Sequence, residues 1–334
     1  MNYSVSPCFF GVPEKDGIYQ VSYEITNRCN LHCLHCMNRS DDLSTTNDGL
    51  EWESISLLLE EMKDNNVKEL YISGGEPTLY PHFEKLIKKS KTLGIDTLLA
   101  TNAYDIEPWL DEIKENISVV FVSIDGAPDK HDYFRGKSGA YSKSLNNIRK
   151  MIAMDIPVRI STVVSQNNIN DLECIISELC DIGVFQVHFT VLVNVGRASD
   201  GEMLIDSNQY RELSGKIREL QEKYEKEGFI ITTRRNGKLN DRTEPCFAGR
   251  RMVHINASGV ISPCSYLNKC KLGLNYSMKW EAGNFKECLA HAKRFQSVCK
   301  QREKYFGYSS CAALASISAD SDSLWAVDPL DEVW

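Results

Sequence analysis

Short apolar runs alternate with amphipathic segments from residue 19 to about residue 193. The amphipathic segments repeat apolar residues at spacings of three and four, which is the helical period, and they cover residues 50–65, 83–93, 106–115, 141–154 and 172–182. The apolar runs are rich in β-branched residues, as strands are, and they cover residues 19–26, 69–73, 97–101, 119–124, 158–164 and 186–193. Six strands that alternate with helices predict an α/β fold with a parallel sheet and right-handed crossovers. The same alternation occurs in open sheets and in barrels, so periodicity leaves closure undecided.

The pattern changes after residue 205. A long helix of mixed charge is predicted at residues 207–227, and short strand candidates among many cysteines follow from residue 230. We therefore expect five regions: an N-terminal extension (1–18), an α/β core (19–205), a linker helix (206–229), a small cysteine-rich α+β domain (230–319) and an acidic C-terminal tail (320–334).

Charge and hydropathy exclude several classes of protein. The formal net charge of -8 argues against nonspecific nucleic-acid binding, which depends on clustered Lys and Arg. We find neither a run of about 20 apolar residues that could span a membrane nor a signal peptide within residues 1–17. We therefore expect a cytoplasmic protein with no nucleic-acid or membrane partner. In that reducing compartment, 12 cysteines favour metal or cluster ligation over disulfides.

Three of these cysteines form a compact motif. Cys29, Cys33 and Cys36 have the spacing C-x3-C-x2-C and follow the first predicted strand. Three thiolates on one short loop can bind three irons of a cubic iron-sulfur cluster and leave the fourth iron without a protein ligand. A zinc site completed by His32 or His35 is the alternative, and the spacing favours the cluster.

This triplet, followed by Gly74-Gly75-Glu76-Pro77, resembles the radical S-adenosylmethionine (radical SAM) superfamily. The resemblance implies a partial, TIM-like (β/α)6 barrel for the core, with a [4Fe-4S] cluster at its carboxyl-terminal mouth. It also implies that S-adenosylmethionine binds the open iron through its amino and carboxylate groups.

The resemblance assigns further residues at strand ends to the cofactor. The expected cofactor-binding set is Gly74, Gly75, Glu76, Asn102, Ser123, Asp125 and His35. Glu76 is expected to brace its loop, whereas Asn102 and Asp125 could instead serve only to form turns. In many relatives an aromatic residue before the third cysteine rests on the adenine, but here that residue is His35, so the adenine contact stays open.

Three basic residues near the predicted strand ends have less certain roles. His131 and Arg135 lie in a loop that is similar to one in radical SAM proteins, but no role follows from the sequence. Arg197 follows the sixth predicted strand, where it could bind a carboxylate through a bidentate pair or remain a solvated loop charge.

A second cysteine group has the spacing C-x12-G-x4-C from Cys246 to Cys264, which resembles the auxiliary-cluster extension called SPASM or its shorter variant, twitch. The resemblance implies one auxiliary [4Fe-4S] cluster on Cys246, Cys264 and Cys311, with Cys299 as the fourth ligand. A second auxiliary cluster is not expected, because Arg302 and Tyr308 occupy the spacings of two further SPASM cysteines. Without Cys299 the cluster would have an open iron for substrate, and a four-thiolate zinc site is the alternative.

Two other features of the C-terminal part bear on this interpretation. Asp328-Pro329 also fits the ending of the SPASM family. Cys270 and Cys288 are left over: each could be a spare ligand or a hydrogen-atom donor, and we expect each to be an inert buried thiol.

The resemblance implies a reaction. The reduced first cluster cleaves S-adenosylmethionine, and the resulting 5′-deoxyadenosyl radical abstracts a hydrogen atom from the substrate while the auxiliary cluster relays an electron. We expect maturation of a ribosomal peptide, with a carbohydrate- or nucleotide-derived metabolite dehydrogenase or epimerase as one alternative and an iron-sulfur electron carrier as another. The expected partners are the peptide or small-molecule substrate, a reductant such as flavodoxin or ferredoxin, and a separate protein that could bind a leader peptide.

Overall fold

The computed structural model describes residues 17–42, 49–199, 202–233, 246–306 and 311–319. Most of the predicted N-terminal extension, the acidic tail with Asp328-Pro329, and Tyr308 lie outside the described residues. The strands of the described part are β1 (Gln20–Thr26), β2 (Glu69–Gly74), β3 (Asp96–Thr101), β4 (Val119–Ser123), β5 (Val158–Val164), β6 (Gln186–Val191), β7 (Ile230–Thr233), β8 (Met252–Ile255), β9 (Val260–Ser262) and β10 (Met278–Lys279).

These strands form one sheet in the order β10-β9-β8-β1-β2-β3-β4-β5-β6-β7. The pairs from β1 to β7 are parallel, β8 lies parallel to β1, and β9 and β10 are antiparallel additions. Within the described ranges the two edge strands, β10 and β7, do not pair with each other, so the sheet is open there. The predicted α/β fold is confirmed, and the six predicted core strands agree with β1 to β6 within two residues at each end.

Helices cover the sheet between successive strands. The described helices are α1 (Trp52–Asp64), α2 (Phe83–Thr92), α3 (Leu110–Asn116), α4 (Pro128–Arg135), α5 (Ala140–Ala153), α6 (Leu172–Asp181), α7 (Ser207–Tyr224), α8 (Lys271–Leu274), α9 (Phe285–Lys293), α10 (Gln296–Phe306) and α11 (Ala312–Ala319). Their apolar faces join the strands in a large core, which includes Leu58, Phe83 and Ile148. None of the helices in the described ranges has the length and apolar character needed to cross a membrane.

Helix α4 was not predicted from the sequence. It starts with Pro128, whose fixed φ suits the first turn of a helix. It ends at Arg135 and is capped by Gly136, which adopts a left-handed conformation with φ 64°. Only eight residues lie in this helix, and Asp and Lys interrupt its apolar pattern, so periodicity gave little signal.

The C-terminal part of the chain adds strands to both edges of the core sheet. Helix α7 packs on the main core through residues such as Leu213 and Ile217, and it leads into β7, which pairs with β6. Strand β8 pairs with β1 at the opposite edge, with Ser22 opposite His254. A second, smaller core contains Leu267, Phe295 and neighbouring apolar residues. The boundaries of the five regions remain a prediction.

Candidate active site

The loop that carries Cys29, Cys33 and Cys36 starts at the carboxyl end of β1, beside the end of β2. Gly75 N donates a hydrogen bond to Thr26 O at 2.8 Å, and Glu76 N donates to Arg28 O at 2.7 Å. A Cβ atom on Gly75 would lie 2.1 Å from Arg28 O, so the two loops can approach this closely only with glycine at this position. The Gly-Gly segment thus fixes the start of the cysteine loop.

Arg197 holds the other end of the same loop. Its Nη1 donates to Cys33 O at 3.0 Å, and its Nη2 pairs with Asp42 Oδ1 at 2.6 Å and also donates to Ser40 O. The neighbouring Gly196 lies so close that a Cβ atom there would be 2.2 Å from Cys36 O. In the structure, Arg197 therefore pairs with a carboxylate of its own chain and is not a solvated loop charge.

Each of the three sulfur atoms of the loop has a hydrogen-bond donor. Arg135 Nη1 lies 3.7 Å from Cys33 Sγ, the backbone N of Ser40 lies 3.4 Å from Cys36 Sγ, and Asn102 Nδ2 lies 4.0 Å from Cys29 Sγ. Donors directed at all three sulfurs suit thiolates, which are anionic acceptors. This arrangement fits a cluster bound through these three cysteines.

Burial governs the protonation of these thiols. It raises the pKa of Cys29 to about 12, and it also raises the pKa of Cys33. Without a metal, both groups therefore stay protonated near neutral pH. A bound metal replaces the thiol proton, so cluster binding at this loop is coupled to proton release.

A cavity of about 490 Å³ opens at the carboxyl ends of the strands. This volume is within the usual range for small-molecule sites. The predicted site residues that line it are Cys29, Cys33, His35, Cys36, Gly74, Gly75, Asn102, Ser123, Cys246, Cys264 and Cys311. Both cysteine groups thus face one cavity, whereas Glu76, Asp125 and Cys299 are not among its lining residues.

Glu76 lies behind the cavity wall and connects two strand ends. Its carboxylate accepts hydrogen bonds from Thr101 Oγ1 and Asn102 N, each at 2.9 Å, and from Thr78 Oγ1 at 2.9 Å. Burial raises the pKa of Glu76, although these hydrogen bonds act in the opposite direction. The contacts are those expected of a loop brace, and the side chain of Asn102 remains on the cavity wall.

Asp125 is fully buried and organises a polar network beside Cys33. Its Oδ2 lies 2.5 Å from Arg135 Nη2 and 3.3 Å from His35 Nε2, while its Oδ1 accepts from Val163 N at 2.8 Å. Burial would raise the pKa of Asp125, but the charges of Arg135 and the neighbouring histidines and the hydrogen bond from Val163 N together outweigh burial and lower the pKa. Burial lowers the pKa of His35 to about 4, so this imidazole is neutral at pH 7.

Sequence reasoning missed Glu24, which lines the same cavity as the two cysteine groups. Its Oε1 lies 3.3 Å from His254 Nε2 on β8, and its Oε2 lies 4.0 Å from Lys269. Burial would raise the pKa of Glu24, but His254 and Lys269 lower it to about 2. The only sequence signal for Glu24 was that it is the one charged residue of β1.

The second cysteine group is dispersed over several elements. Cys264 follows β9, Cys299 lies in α10, Cys311 immediately precedes α11, and all three pack with Cys246 against the small core. A hydrogen bond with Cys246 and burial raise the pKa of Cys299. Cys270 packs against the same core, whereas Cys288 belongs to the main core.

In the part of the chain that the structure describes, no three Cys, His, Asp or Glu side chains meet the geometry for a single metal ion. The ligands of both groups therefore remain predictions based on spacing, shared packing and, for the first loop, the donors around each sulfur.

Comparison with known proteins identifies the domain that contains this site. The model of the radical SAM superfamily matches residues 23–179, which include the cysteine loop, the Gly-Gly segment and the strand ends described above. This protein carries a radical SAM domain. This domain implies a [4Fe-4S] cluster and S-adenosylmethionine as cofactors, and radical chemistry as its type of reaction.

Two curated relatives of this radical SAM protein are named for different activities, maturation in one case and heme synthesis in the other. The sporulation killing factor maturation protein SkfB of Bacillus subtilis (strain 168) is 26% identical over 247 residues, which are 72% of this chain and 58% of SkfB. The AdoMet-dependent heme synthase of Methanosarcina barkeri (strain Fusaro / DSM 804) is 27% identical over 269 residues, which are 74% of this chain and 76% of the synthase. The chain therefore spans little more than half the length of SkfB.

A solved structure shares the fold across nearly the whole chain. Native anSMEcpe with bound AdoMet and Kp18Cys peptide has a TM-score of 0.72 and 16% identity, and 94% of each chain is covered. At this level of identity the likeness establishes the fold alone.

Proposed function

We propose that this radical SAM protein is a peptide maturase that oxidises its substrate with the help of one auxiliary cluster. The observation that carries the proposal is the shared cavity: Cys29, Cys33 and Cys36 line one part of it, and Cys246, Cys264 and Cys311 line another. A substrate in this cavity would contact both cysteine groups, which suits hydrogen removal followed by electron transfer.

The first cysteine group and the strand ends form the cofactor site of this proposal. Bound there, the cluster and S-adenosylmethionine supply one-electron cleavage of the cofactor and a radical that removes a hydrogen atom from substrate. Gly74 and Gly75 leave backbone groups open to the methionine end, and Asn102 and Ser123 offer polar side chains on the same wall. The walls would serve to keep bulk water from the reacting centre and to hold the substrate near it.

The second cysteine group would hold one auxiliary [4Fe-4S] cluster, with Cys246, Cys264, Cys299 and Cys311 as ligands. Three of these residues line the cavity, while Cys299 approaches Cys246 from α10. An auxiliary cluster at this position would exchange single electrons with the substrate. An electron acceptor beside the substrate favours a net oxidation.

The charges on the cavity wall favour a peptide over a porphyrin. Among the described residues that line the cavity, Arg135 is the only Arg or Lys, and it is already paired with Asp125. A porphyrin with several carboxylates would call for several cationic partners. SkfB is named as a maturation protein, and anSMEcpe was solved with a peptide, which also supports the peptide class.

A small-molecule substrate is the second candidate, and the similarity to the AdoMet-dependent heme synthase favours it. The net reaction would then be dehydrogenation or epimerisation of a metabolite. For either substrate class we infer a cytoplasmic reductant such as flavodoxin or ferredoxin, and for a peptide we infer a separate protein that binds the leader.

The test uses the full chain, reconstituted with iron and sulfide under anaerobic conditions. With S-adenosylmethionine and dithionite it should form 5′-deoxyadenosine, and candidate precursor peptides should lose hydrogen as measured by mass spectrometry. Cys33→Ala is the matched control and should form neither product. An oxidised metabolite together with unmodified peptides would reverse the order of the two candidates, and failure to cleave S-adenosylmethionine would refute both.

A further inference from the structure

We propose that Arg135 raises the reduction potential of the first cluster through a hydrogen bond to Cys33, and that Asp125 and His35 hold Arg135 in place. The inference rests on the proposed role of Cys33 as a cluster ligand. In this proposal Arg135 acts on the charge of the Cys33 sulfur, and Asp125 and His35 position the Arg135 guanidinium.

The end of helix α4 is docked directly on the cysteine loop. Leu34 N donates to Phe134 O at 2.8 Å, and a Cβ atom on Gly136 would lie 2.6 Å from His32 O. These backbone contacts fix the position of Arg135, which is 7% exposed. From this position Nη1 reaches Cys33 Sγ at 3.7 Å, within the range for a hydrogen bond to sulfur.

The other side of the guanidinium is held by a carboxylate that cannot reorient. Asp125 is fully buried, its Oδ1 is hydrogen bonded to Val163 N on β5, and its backbone N donates to His131 Nδ1 at 3.1 Å. Its Oδ2 lies 2.5 Å from Arg135 Nη2. Arg135 is thereby clamped between a carboxylate and a thiol, with its two Nη atoms assigned to different partners.

His35 completes the clamp from the cysteine loop itself. Its Nε2 lies 3.3 Å from Asp125 Oδ2, and its ring packs edge-on against Phe134, with 5.2 Å between the ring centroids. Nε2 is thus the ring nitrogen of His35 that faces the carboxylate. The histidine before the third cysteine therefore connects the loop to the same carboxylate that orients Arg135.

Hydrogen bonds to the sulfur atoms and net charge help to set the potential of an iron-sulfur cluster. Reduction adds negative charge to the cluster and its thiolates, so a cationic donor stabilises the reduced state more than the oxidised state. Loss of the Arg135 donor should therefore make the cluster harder to reduce, whether or not S-adenosylmethionine is bound.

The experiment is a potentiometric titration followed by electron paramagnetic resonance, without S-adenosylmethionine. The full chain carries Cys246→Ala and Cys264→Ala, so that only the first cluster contributes to the signal. In this background Arg135→Gln should shift the midpoint potential to more negative values, and Arg135→Lys should shift it less in the same direction. Arg149→Gln, at an exposed position of α5, is the matched control and should leave the potential unchanged.

Iron content decides whether each variant can be compared, and Arg135→Lys keeps the test informative if Arg135→Gln loses its cluster. An unchanged midpoint in the loaded Arg135 variants, with a weaker response of the signal to added S-adenosylmethionine, would show that the guanidinium acts on the cofactor and would overturn the inference. If the parent protein shows no signal that responds to S-adenosylmethionine, the proposed function fails instead.

Discussion

The two cysteine groups are built in opposite ways although they face the same cavity. The first lies on one loop that is held by backbone contacts from Gly75, by the end of α4 and by the side chain of Arg197. The second is assembled from residues far apart in the chain, which reach a small separate core through β9, α10 and the start of α11.

This difference explains why one group could be assigned more fully than the other. A ligand set within a short loop is fixed by local spacing, so the sequence alone constrains its geometry. A dispersed set depends on how helices pack, and more than one cysteine could then serve as the fourth ligand. Cys270 is such a second candidate, because it packs against the small core together with Cys299.

The largest expected effect comes from removing a ligand of the first group. Cys33→Ala should abolish the formation of 5′-deoxyadenosine, because two remaining ligands on this loop would not hold a cluster with its open iron at the cofactor site. The measurement is chromatography of the cofactor products after reduction with dithionite. Cys174→Ala, on the exposed part of α6, is the control and should retain activity.

The same variant should keep the iron of the second group if the two groups load independently. Loss of all iron from Cys33→Ala would show that the dispersed group depends on the compact one, and full cleavage activity would remove Cys33 from the cofactor site.

Most of the core could be predicted from the sequence because its determinants are local. Buried parallel strands are continuous apolar runs, so β4 was recognisable from Val119 to Val122. The glycines at residues 74 and 75 predicted a close approach of the backbone to a ligand, which stays a prediction; the structure shows a close approach of Gly75 to the cysteine loop at Arg28 O. The family resemblance then supplied the partial barrel, which periodicity alone leaves open.

The supporting residues of the site could not be predicted, because their partners lie far away in the chain. Arg197 reaches Asp42 and Cys33, and Glu24 meets His254 on a strand that pairs with β1 only in the folded protein. Arg135 ends a short helix whose pattern is interrupted by charged residues. Spacing carries no information about such contacts, which arise only when strands and helices are brought together.

An intermediate effect is expected from the proposed fourth ligand of the dispersed group. Cys299→Ala should lower the total iron by up to about half, because one of two four-iron clusters loses a ligand. Cleavage of S-adenosylmethionine should persist, since the first loop is unchanged. Iron and sulfide analysis together with the cleavage assay measures both quantities.

The two leftover cysteines provide the controls for this variant. Cys288→Ala should leave the iron content unchanged, because Cys288 is buried in the main core and donates to Asn284 Oδ1 at 3.3 Å. If Cys270→Ala loses iron while Cys299→Ala does not, the fourth ligand is Cys270 and the assignment from spacing is wrong.

The smallest expected effect concerns the brace of the compact loop. Arg197→Gln removes charge-assisted hydrogen bonds to Asp42, Cys33 O and Ser40 O, and a hydrogen bond to a charged group contributes about 1.5–3 kcal/mol. We expect a loss of this order in the free energy of unfolding, measured by urea titration of the anaerobic protein, and lower iron loading of the first group.

Arg149→Gln should change the free energy of unfolding by about 0.5 kcal/mol or less, because its side chain is half exposed and 4.0 Å from Glu178. Equal stability and iron loading in both variants would mean that backbone contacts alone hold the loop, and the contrast between the two cysteine groups would then rest on Gly75 and α4.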